Sequence, residues 1–349
     1  MRRYPGFLNE LQQQIEGLHP EILERISRYG GLDVQDLISL ILEPKDHSVD
    51  CPETVDPGEI FQHVELEPYE ALGRELIDKN SVALCILAGG AGTRIGGSKC
   101  MLNLFEGETL LSHKIRKNSH VKNIWIIVTE SLSNIVQDHL ENIRLMRDGI
   151  ELVLQYESVR LTPDNQLYTN KDGPSLYPCG HGDVIPALDS SGLLKKFTAS
   201  GGRHVVIVNV DNVSADIDAA ILGLHHANNV PVTCEVVRKS ENDKGGVLCK
   251  HSGVNQIVEE FRMTPESDVT QFQLMNTNTM IVKSDLDFSM IDWHWHRVKK
   301  NLDGSLVIQH ERLLQQLTEH FKTQYVEVQR DRRFTPIKSA SDLDKIKQA

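Results

Sequence analysis

The sequence lacks the features that would place it in several classes of protein. Its 349 residues contain no apolar run near the roughly 20 residues that cross a bilayer. No apolar segment follows Arg2 and Arg3, so we expect no signal peptide. The net charge of −12 leaves no basic excess of the kind that binds nucleic acid. We therefore expect neither a membrane nor a nucleic-acid partner.

Cysteine is also sparse and scattered. The six cysteines stand at positions 51, 85, 100, 179, 234 and 249, and none has C-x-x-C spacing. Cys85 lies inside an apolar run, where a free thiol packs as a small hydrophobic side chain. Because free thiols are typical of reducing compartments, the pattern predicts a cytoplasmic protein. The sequence does not indicate an oligomeric state.

From residue 82 onward, strand-like and helix-like segments alternate. This alternation predicts a doubly wound, mostly parallel α/β sheet that is covered on both faces, with ligands at the carboxyl ends of its strands. Residues 245–283 look like an inserted or flanking antiparallel part. The first eighty residues show helical spacing. The predicted strands are 82–88, 123–129, 150–155, 204–210 and 231–237, and the predicted helices are 108–118, 131–147, 182–196 and 214–227.

A glycine-rich turn, LAGGAGTRIGGSKC, follows the first predicted strand. It fails the P-loop pattern, because Ser98 separates Gly97 from the lysine, and it fails the dinucleotide fingerprint, because its third glycine comes one place late. Arg94 and Lys99 beside exposed backbone N–H groups suit a triphosphate. The alternative is a glycine-rich loop with solvated basic side chains.

Two further turns follow predicted strands. YPCGHGDVIP is a second glycine turn before an apolar helix, and VNVDNV places Asp211 at the end of an apolar strand. A carboxylate there suits Mg²⁺, which takes one or two carboxylates together with phosphate oxygens. Asp211 could instead cap a helix that begins near Ser214. His294 and His296 invite a metal interpretation, but no third ligand stands near them in the sequence.

Taken in order, these motifs resemble the UDP-sugar pyrophosphorylase family, and most closely its UTP–glucose-1-phosphate uridylyltransferase branch, over residues 82–345. The resemblance implies a Rossmann-like nucleotide-diphospho-sugar transferase fold. It implies a helical region over 1–80, a nucleotidyltransferase core over 81–300, and a segment over 301–349 that brings Lys338 to the active site. The motifs are LAGGAGTR with Lys99, VLQYESVRL, YPCGHGD, VNVDN, EVVRKSENDKGGVLC, IVEE, MNTNT, KNLDGSLVIQHE and DRRFTPIKSASDL.

The resemblance also implies the reaction and the roles of the site residues. UTP and a sugar-1-phosphate would give UDP-sugar and pyrophosphate, with Mg²⁺ as the cofactor on Asp211. The implied catalytic residues are Arg94, Lys99 and Lys338. The implied nucleotide-binding residues are Leu87, Gly89, Gly90, Gly92, Thr93, Gln155 and Gly180, and the implied sugar-binding residues are His181, Asn212, Gly246, Glu259, Asn276, Asn278 and Lys300.

Departures from the family pattern leave alternatives open. GHGD and NTNT favour a hexose, so glucose-1-phosphate is the expected substrate, but Arg94 is more typical of N-acetylhexosamine enzymes. A UDP-N-acetylhexosamine or broad-specificity pyrophosphorylase is therefore the alternative. The shortened turn before Lys99 leaves room for an inactive nucleotide-sugar-binding protein. A glycosyltransferase that consumes nucleotide sugars fits less well, because Lys99 and Lys338 suit a triphosphate.

Overall fold

The computed structural model describes residues 5–27, 34–42, 45, 47–90, 98–241 and 243–348. Its helices are α1 (Pro5–Glu16), α2 (Pro20–Ser27), α3 (Val34–Leu42), α4 (Glu67–Asp78), α5 (Leu110–Lys117), α6 (Glu130–Asn142), α7 (Val184–Ser190), α8 (Leu193–Ala199), α9 (Ala219–Ala227), α10 (Leu317–His320), α11 (Arg330–Arg333) and α12 (Ala340–Gln348). Its strands are β1 (Ile60–Gln62), β2 (Val82–Leu87), β3 (Asn103–Phe105), β4 (Glu108–Thr109), β5 (Asn123–Val128), β6 (Ile150–Leu154), β7 (Glu157–Val159), β8 (Thr169–Asn170), β9 (Gly173–Pro174), β10 (Leu176–Pro178), β11 (His204–Asn209), β12 (Val232–Arg238), β13 (Gly246–His251), β14 (Val254–Glu259), β15 (Leu274–Lys283), β16 (His296–Leu302), β17 (Ser305–Glu311) and β18 (Thr323–Glu327).

The main sheet runs in the order β1-β18-β12-β15-β11-β2-β5-β6. Strands β11, β2, β5 and β6 pair in parallel, as do β1, β18 and β12, whereas β15 is antiparallel to both of its neighbours. Residues 82–86 are all buried, as expected for a strand covered on both faces. The architecture is therefore the predicted doubly wound, mostly parallel α/β sheet.

The predicted strands match β2, β5, β6, β11 and β12 to within one residue at each end. In the predicted antiparallel part, β13 and β14 pair beside the main path of the sheet, and β15 is inserted in its centre between β12 and β11. Its apolar residues Met280, Ile281 and Val282 pack into both main core layers. The predicted helix 182–196 breaks into α7 and α8 at Gly192, whose φ of 73° ends the regular backbone.

The N-terminal region contributes to two layers of the fold. Leu11 and Ile15 of α1 pack with Tyr156, Tyr177 and Ile308, so the first helices cover the ribbon of β7 and β10 and the hairpin of β16 and β17. Residues 60–62 form β1, so this region adds an edge strand to the main sheet.

Residues 301–349 also contribute to the main sheet, because β18 lies between β1 and β12.

All six cysteines lie in the described ranges and are free, five of them buried. Within the same ranges, no helix combines the length and apolarity needed to cross a bilayer.

Candidate active site

A cavity of about 510 Å³ opens at the carboxyl ends of β2 and β11. This is the edge at which doubly wound sheets bind ligands. Its lining brings together most of the residues expected to contact a nucleotide and its phosphates. The lining residues are Leu87, Gly89, Gly90, Lys99, Ile127, Gln155, Arg160, Tyr177, Pro178, Gly180, His181, Val184, Asn209, Val210, Asp211, Lys299, Lys300, Asn301, Leu302, Gln309, Glu311 and Lys338.

Gln155 occupies one end of this cavity, directly after β6. Its Nε2 donates to the carbonyl oxygen of Gly180 at 2.8 Å. A Cβ on Gly89 would lie 2.4 Å from Gln155 Oε1, so only glycine allows this approach. Gly180 has a φ of 91°, and a Cβ there would lie 2.3 Å from the Arg312 carbonyl oxygen. Two glycines and one amide side chain therefore form a tightly packed base for the cavity.

A buried ion pair between Asp183 and Arg312 fixes the second glycine turn. Arg312 donates to Asp183 Oδ1 at 2.5 Å, and the Tyr156 N–H donates to Asp183 Oδ2 at 2.7 Å. The Arg312 guanidinium also lies 4.6 Å from the centroid of the Trp295 ring. Burial raises the pKa of Asp183, and Arg312 opposes that rise. The pair connects the turn to the residue that follows β17, a role of Asp183 that no sequence motif indicates.

Lys99 and Asp211 meet at the other end of the cavity. The 3₁₀ turn Lys99–Met101 places Lys99 Nζ 2.5 Å from Asp211 Oδ2. Asp211 does not cap the next helix, because Asp218 accepts from the backbone of Ala220 and Ile221 and α9 begins at Ala219. The Asp211 carboxylate is therefore not used as a helix cap and lines the cavity, paired with Lys99. The expected contacts of Gly92, Thr93 and Arg94 lie outside the described residues.

Lys338 reaches the same end of the cavity from the C-terminal segment. The Ile337 N–H donates to the Asp211 carbonyl oxygen at 2.9 Å, which fixes the segment beside β11. Lys338 Nζ lies 4.0 Å from Asp243 and is about half exposed. Lys99, Asp211 and Lys338, which are far apart in the sequence, thus line one cavity.

His181 lies in the second glycine turn and lines the same cavity. Its Nδ1 accepts from the Leu314 N–H at 2.8 Å, so a neutral ring carries its proton on Nε2. Burial, together with the smaller effect of the Lys300 charge, lowers the pKa of His181 to about 4. The ring is therefore a neutral hydrogen-bond donor at physiological pH.

Five of the expected sugar-binding residues lie outside the cavity lining. The Asn212 side chain donates to the Arg333 carbonyl oxygen and accepts from the Thr335 N–H, so it holds the C-terminal segment. Gly246 pairs with Glu259 across β13 and β14, and Glu259 accepts from Gln315. Asn276 donates to Asn278 Oδ1 at 2.7 Å within β15. Of the expected sugar-binding set, His181 and Lys300 line the cavity.

The lining residues that were not predicted from the sequence include the charged residues Arg160, Lys299 and Glu311 and the amide Gln309. Arg160 donates to Ser175 Oγ at 2.9 Å, and its guanidinium lies 5.6 Å from the Tyr177 ring centroid. With its amide oriented to satisfy both neighbours, Gln309 accepts from Arg160 Nε at 2.7 Å and donates to Glu311 at 2.9 Å. Arg160 stands in the same motif as Gln155, which is the one signal that could have identified it.

The donor set at Asp211 fits Mg²⁺, which needs as few as one carboxylate when phosphates supply other oxygens. A metal site made entirely of protein ligands would need several such side chains close together. The described part of the chain has no group of three His, Cys, Asp or Glu side chains that could hold a metal. The rings of His294 and His296 are 6.5 Å apart, and His296 Nε2 pairs with Gln316 at 3.1 Å. The metal interpretation of these histidines therefore has no support.

Solved structures share the fold. A UDP-glucose phosphorylase from Trypanosoma brucei matches with a TM-score of 0.75 at 22% identity, covering 98% of this chain and 78% of its own. A UDP-N-acetylglucosamine pyrophosphorylase from Entamoeba histolytica matches with a TM-score of 0.69 at 20% identity, covering 85% and 86% of the two chains. These matches confirm the predicted fold class.

Curated relatives are similar along most of the chain. Three are described as UTP–glucose-1-phosphate uridylyltransferases, from Encephalitozoon cuniculi (26% identity), Musa acuminata (29%) and Hordeum vulgare (30%). The alignments cover 96%, 96% and 77% of this chain and 71%, 75% and 62% of the relatives. The family model described as UTP–glucose-1-phosphate uridylyltransferase matches residues 36–348. The chain therefore belongs to the UTP–glucose-1-phosphate uridylyltransferase family.

Proposed function

We propose that this chain makes UDP-glucose and pyrophosphate from UTP and glucose-1-phosphate. The observation that supports this most strongly is the meeting of Lys99, Asp211 and Lys338 at one end of a cavity whose other end holds Gln155. Two cations suit phosphates, a carboxylate suits the metal ion that phosphates share, and an amide suits a base edge. Membership of the family supports the same reaction.

At the base end, Gln155 would select uracil. Its Nε2 already donates to the Gly180 carbonyl oxygen, which orients the amide along the cavity. An amide can both donate and accept, which matches the alternating donors and acceptors of uracil. Gly89 lets the backbone lie close to the Gln155 amide, and Gly180 packs against the Arg312 backbone, so both glycines keep the amide in this position.

At the phosphate end, catalysis would consist of positioning and charge neutralisation. The sugar phosphate is an anion and attacks the α-phosphorus without a general base, so the barrier is the meeting of two polyanions. Lys99 would neutralise the β- and γ-phosphates as pyrophosphate leaves, and Lys338 would hold the attacking phosphate. Arg94 is proposed to assist Lys99.

Asp211 would hold Mg²⁺, which supplies positive charge to the phosphate oxygens. Without substrate, Lys99 and Asp211 neutralise each other at 2.5 Å. Binding of UTP would give Lys99 phosphate oxygens in place of this partner and leave the Asp211 carboxylate free to act as a ligand. The ion pair thus keeps both groups in place before substrate arrives.

On the sugar side, His181 would donate from Nε2 to a sugar or phosphate oxygen. Lys300 pairs with Glu311 at 3.3 Å across the hairpin, and both line the cavity. Glu259, Asn276 and Asn278 would contact the sugar only if the neighbouring strands close toward it. We further propose that the protein is cytoplasmic, because its five buried free thiols fit a reducing compartment.

The test is pyrophosphate release from UTP and Mg²⁺ with a panel of sugar-1-phosphates. The proposal expects release with glucose-1-phosphate in preference to N-acetylglucosamine-1-phosphate and galactose-1-phosphate. A preference for the N-acetyl sugar would favour the alternative pyrophosphorylase. No release with any sugar phosphate or nucleoside triphosphate would contradict the proposal and favour a binding protein.

A further inference from the structure

Lys114 is a buried lysine that contacts the turn following Asp211. It lies in the second turn of α5, a helix whose start is fixed by a capping box between Thr109 and Ser112. Only 1% of Lys114 is exposed, although lysine is almost never fully buried without a partner. A side chain in this position needs a specific set of acceptors.

The acceptors are two carbonyl oxygens of the turn that follows Asp211. Lys114 Nζ donates to the Asn212 carbonyl oxygen at 2.7 Å and to the Ala215 carbonyl oxygen at 2.5 Å. Residues 212–218 connect β11 to α9 without a helix or strand, and the Asn212 carbonyl oxygen also accepts from the Ala215 N–H at 3.1 Å. Lys114 adds a second donor to that carbonyl and supplies one to the Ala215 carbonyl oxygen, so it fixes both ends of this turn.

The contact does not depend on the protonation state of Lys114. Burial lowers the pKa of Lys114 to about 7, and Asp216 opposes that shift. Both an ammonium and a neutral amine have the two N–H bonds that the two carbonyls accept. The nearest carboxylate, Asp216, is already paired with Lys117 at 2.7 Å and with Arg333.

The same turn is held from its other side by the C-terminal segment. Asn212 bonds to Arg333 and Thr335 there, and Ile337 bonds to Asp211. Lys114 thus holds this turn from α5, and residues 333–337 hold it from the C-terminal segment that carries Lys338. Asp211 lies at the start of the turn between them.

We propose that Lys114 is a positioning residue for uridylyl transfer, which fixes the Asp211 carboxylate at the phosphate end of the cavity through the carbonyls of Asn212 and Ala215. This rests on the proposed function, in which Asp211 serves as the metal ligand. Lys114 has no role in contacting substrate. Its loss should therefore displace the catalytic groups and leave the uracil end of the site unchanged.

The test compares Lys114→Met, which keeps the length of the stem and removes both donors, with Arg116→Met on the exposed side of the same helix. Arg116 pairs with Glu108 and does not contact the turn. We expect Lys114→Met to lower kcat about 10- to 100-fold, the scale of effect of misplacing catalytic groups. The KM for UTP should stay near that of the wild type, and Arg116→Met should stay within about twofold in both constants.

A second readout does not depend on turnover. Calorimetry of UTP binding with and without Mg²⁺ gives the increment in affinity that the metal supplies. That increment should shrink in Lys114→Met, whereas metal-free UTP affinity should not change. A general loss of structure would lower both. Lys114→Gln, which keeps two N–H donors on a shorter stem, should recover part of the increment and of kcat.

The outcomes separate the two proposals. A wild-type chain that releases no pyrophosphate contradicts the proposed function, whatever the variants do. An active wild type together with a folded Lys114→Met or Lys114→Gln of wild-type kcat and unchanged metal increment overturns the role of Lys114. If neither variant folds by thermal unfolding, Lys114 supports the whole fold and the positioning role is equally wrong.

Discussion

The two walls of the cavity are built differently. One wall stands on β2, β6 and β11, whose residues are mostly buried and which belong to the main sheet. The other is the hairpin of β16 and β17, a separate two-stranded sheet in which most of β16 is partly or fully exposed. The wall on the main sheet carries Gln155 and Asp211, and the hairpin carries Lys300, Gln309 and Glu311.

The two walls therefore have different expected roles in catalysis and in binding. Asp211, which must be held firmly for phosphoryl chemistry, lies just after β11, a strand fixed by the core, because misplacement is costly for catalysis. In the hairpin, β17 is fixed by the bridge between Leu161 and Ile308 and by the Tyr177 hydroxyl, which bonds to the His310 backbone, whereas the exposed strand β16 can adjust to a ligand at little cost. Changes on the main-sheet wall should therefore reduce turnover, and changes on the hairpin wall should alter binding.

The largest effect should come from Lys99→Ala. Removal of the cation beside Asp211 should lower kcat about 100-fold or more, because preorganised charge stabilisation is lost. Steady-state kinetics with UTP and glucose-1-phosphate measure it. Lys79→Ala, which removes an exposed lysine paired with Glu75, is the control. Near-normal turnover of Lys99→Ala would show that Lys99 does not neutralise the leaving pyrophosphate.

Gly180→Ala should have the next largest effect. Its Cβ would meet the Arg312 carbonyl oxygen at 2.3 Å, whereas Gly192, also in the left-handed region, has open space around it. Gly192→Ala should cost about 1–3 kcal/mol of unfolding free energy from backbone strain alone. Denaturant unfolding should show a clearly larger loss for Gly180→Ala, together with weaker UTP binding. Equal losses would contradict the close packing described for the base of the cavity.

Glu259 should make sugar binding depend on pH. Burial raises the pKa of Glu259 to about 7, so the carboxyl gains a proton as pH falls through neutrality. If the ionised form accepts from a sugar hydroxyl, KM for glucose-1-phosphate should fall as pH rises from 6 to 8 (~1 unit either side of that pKa). Glu259→Gln should remove this component, and a profile unchanged by the substitution would argue against contact with the sugar.

The same shift has a consequence for stability. Because the folded-state pKa lies above the ordinary value, this carboxyl favours folding when protonated, and that contribution is lost as pH rises toward about 7. Glu259→Gln should therefore lose less unfolding free energy than the wild type between pH 5 and 7, roughly the interval that the shift spans.

The smallest effect should come from the hairpin. Lys300 is about half exposed and pairs with Glu311 at 3.3 Å, so Lys300→Met should change stability by less than about 1 kcal/mol. It should raise KM for the sugar phosphate several-fold and leave kcat unchanged. A large fall in kcat in this variant would contradict the claim that the hairpin wall affects binding and not turnover.

The sequence predicted the main-sheet wall far better than the hairpin. Continuous apolar runs identify buried parallel strands, so β2, β5, β6 and β11 were found; the turn after β11 led to Asp211, and the family resemblance led to Gln155 and Gly180. The sequence of β16, HRVKKNL, has no clear alternation, so the hairpin was missed, although Asp303 and Gly304, both with positive φ, form the two-residue turn that a D-G pair favours. Glu311 and Arg160 were missed with it, because their contacts form only in the folded chain.

Tertiary pairing explains the other differences. Strand β15 lies between two strands that come before it in the chain, an arrangement that no local pattern encodes. The Asn212 amide is satisfied by residues more than a hundred positions away, so its structural role was not visible in the VNVDN motif.

The central claim is that this cavity transfers a uridylyl group. The most direct measurement follows the label from UTP carrying ³²P at the α-phosphorus, incubated with glucose-1-phosphate and Mg²⁺, in the wild type and in Lys99→Ala. The account predicts label in UDP-glucose, with one pyrophosphate released for each, and a strong loss of both in the variant. Label that stays in UTP with every sugar phosphate offered would contradict it.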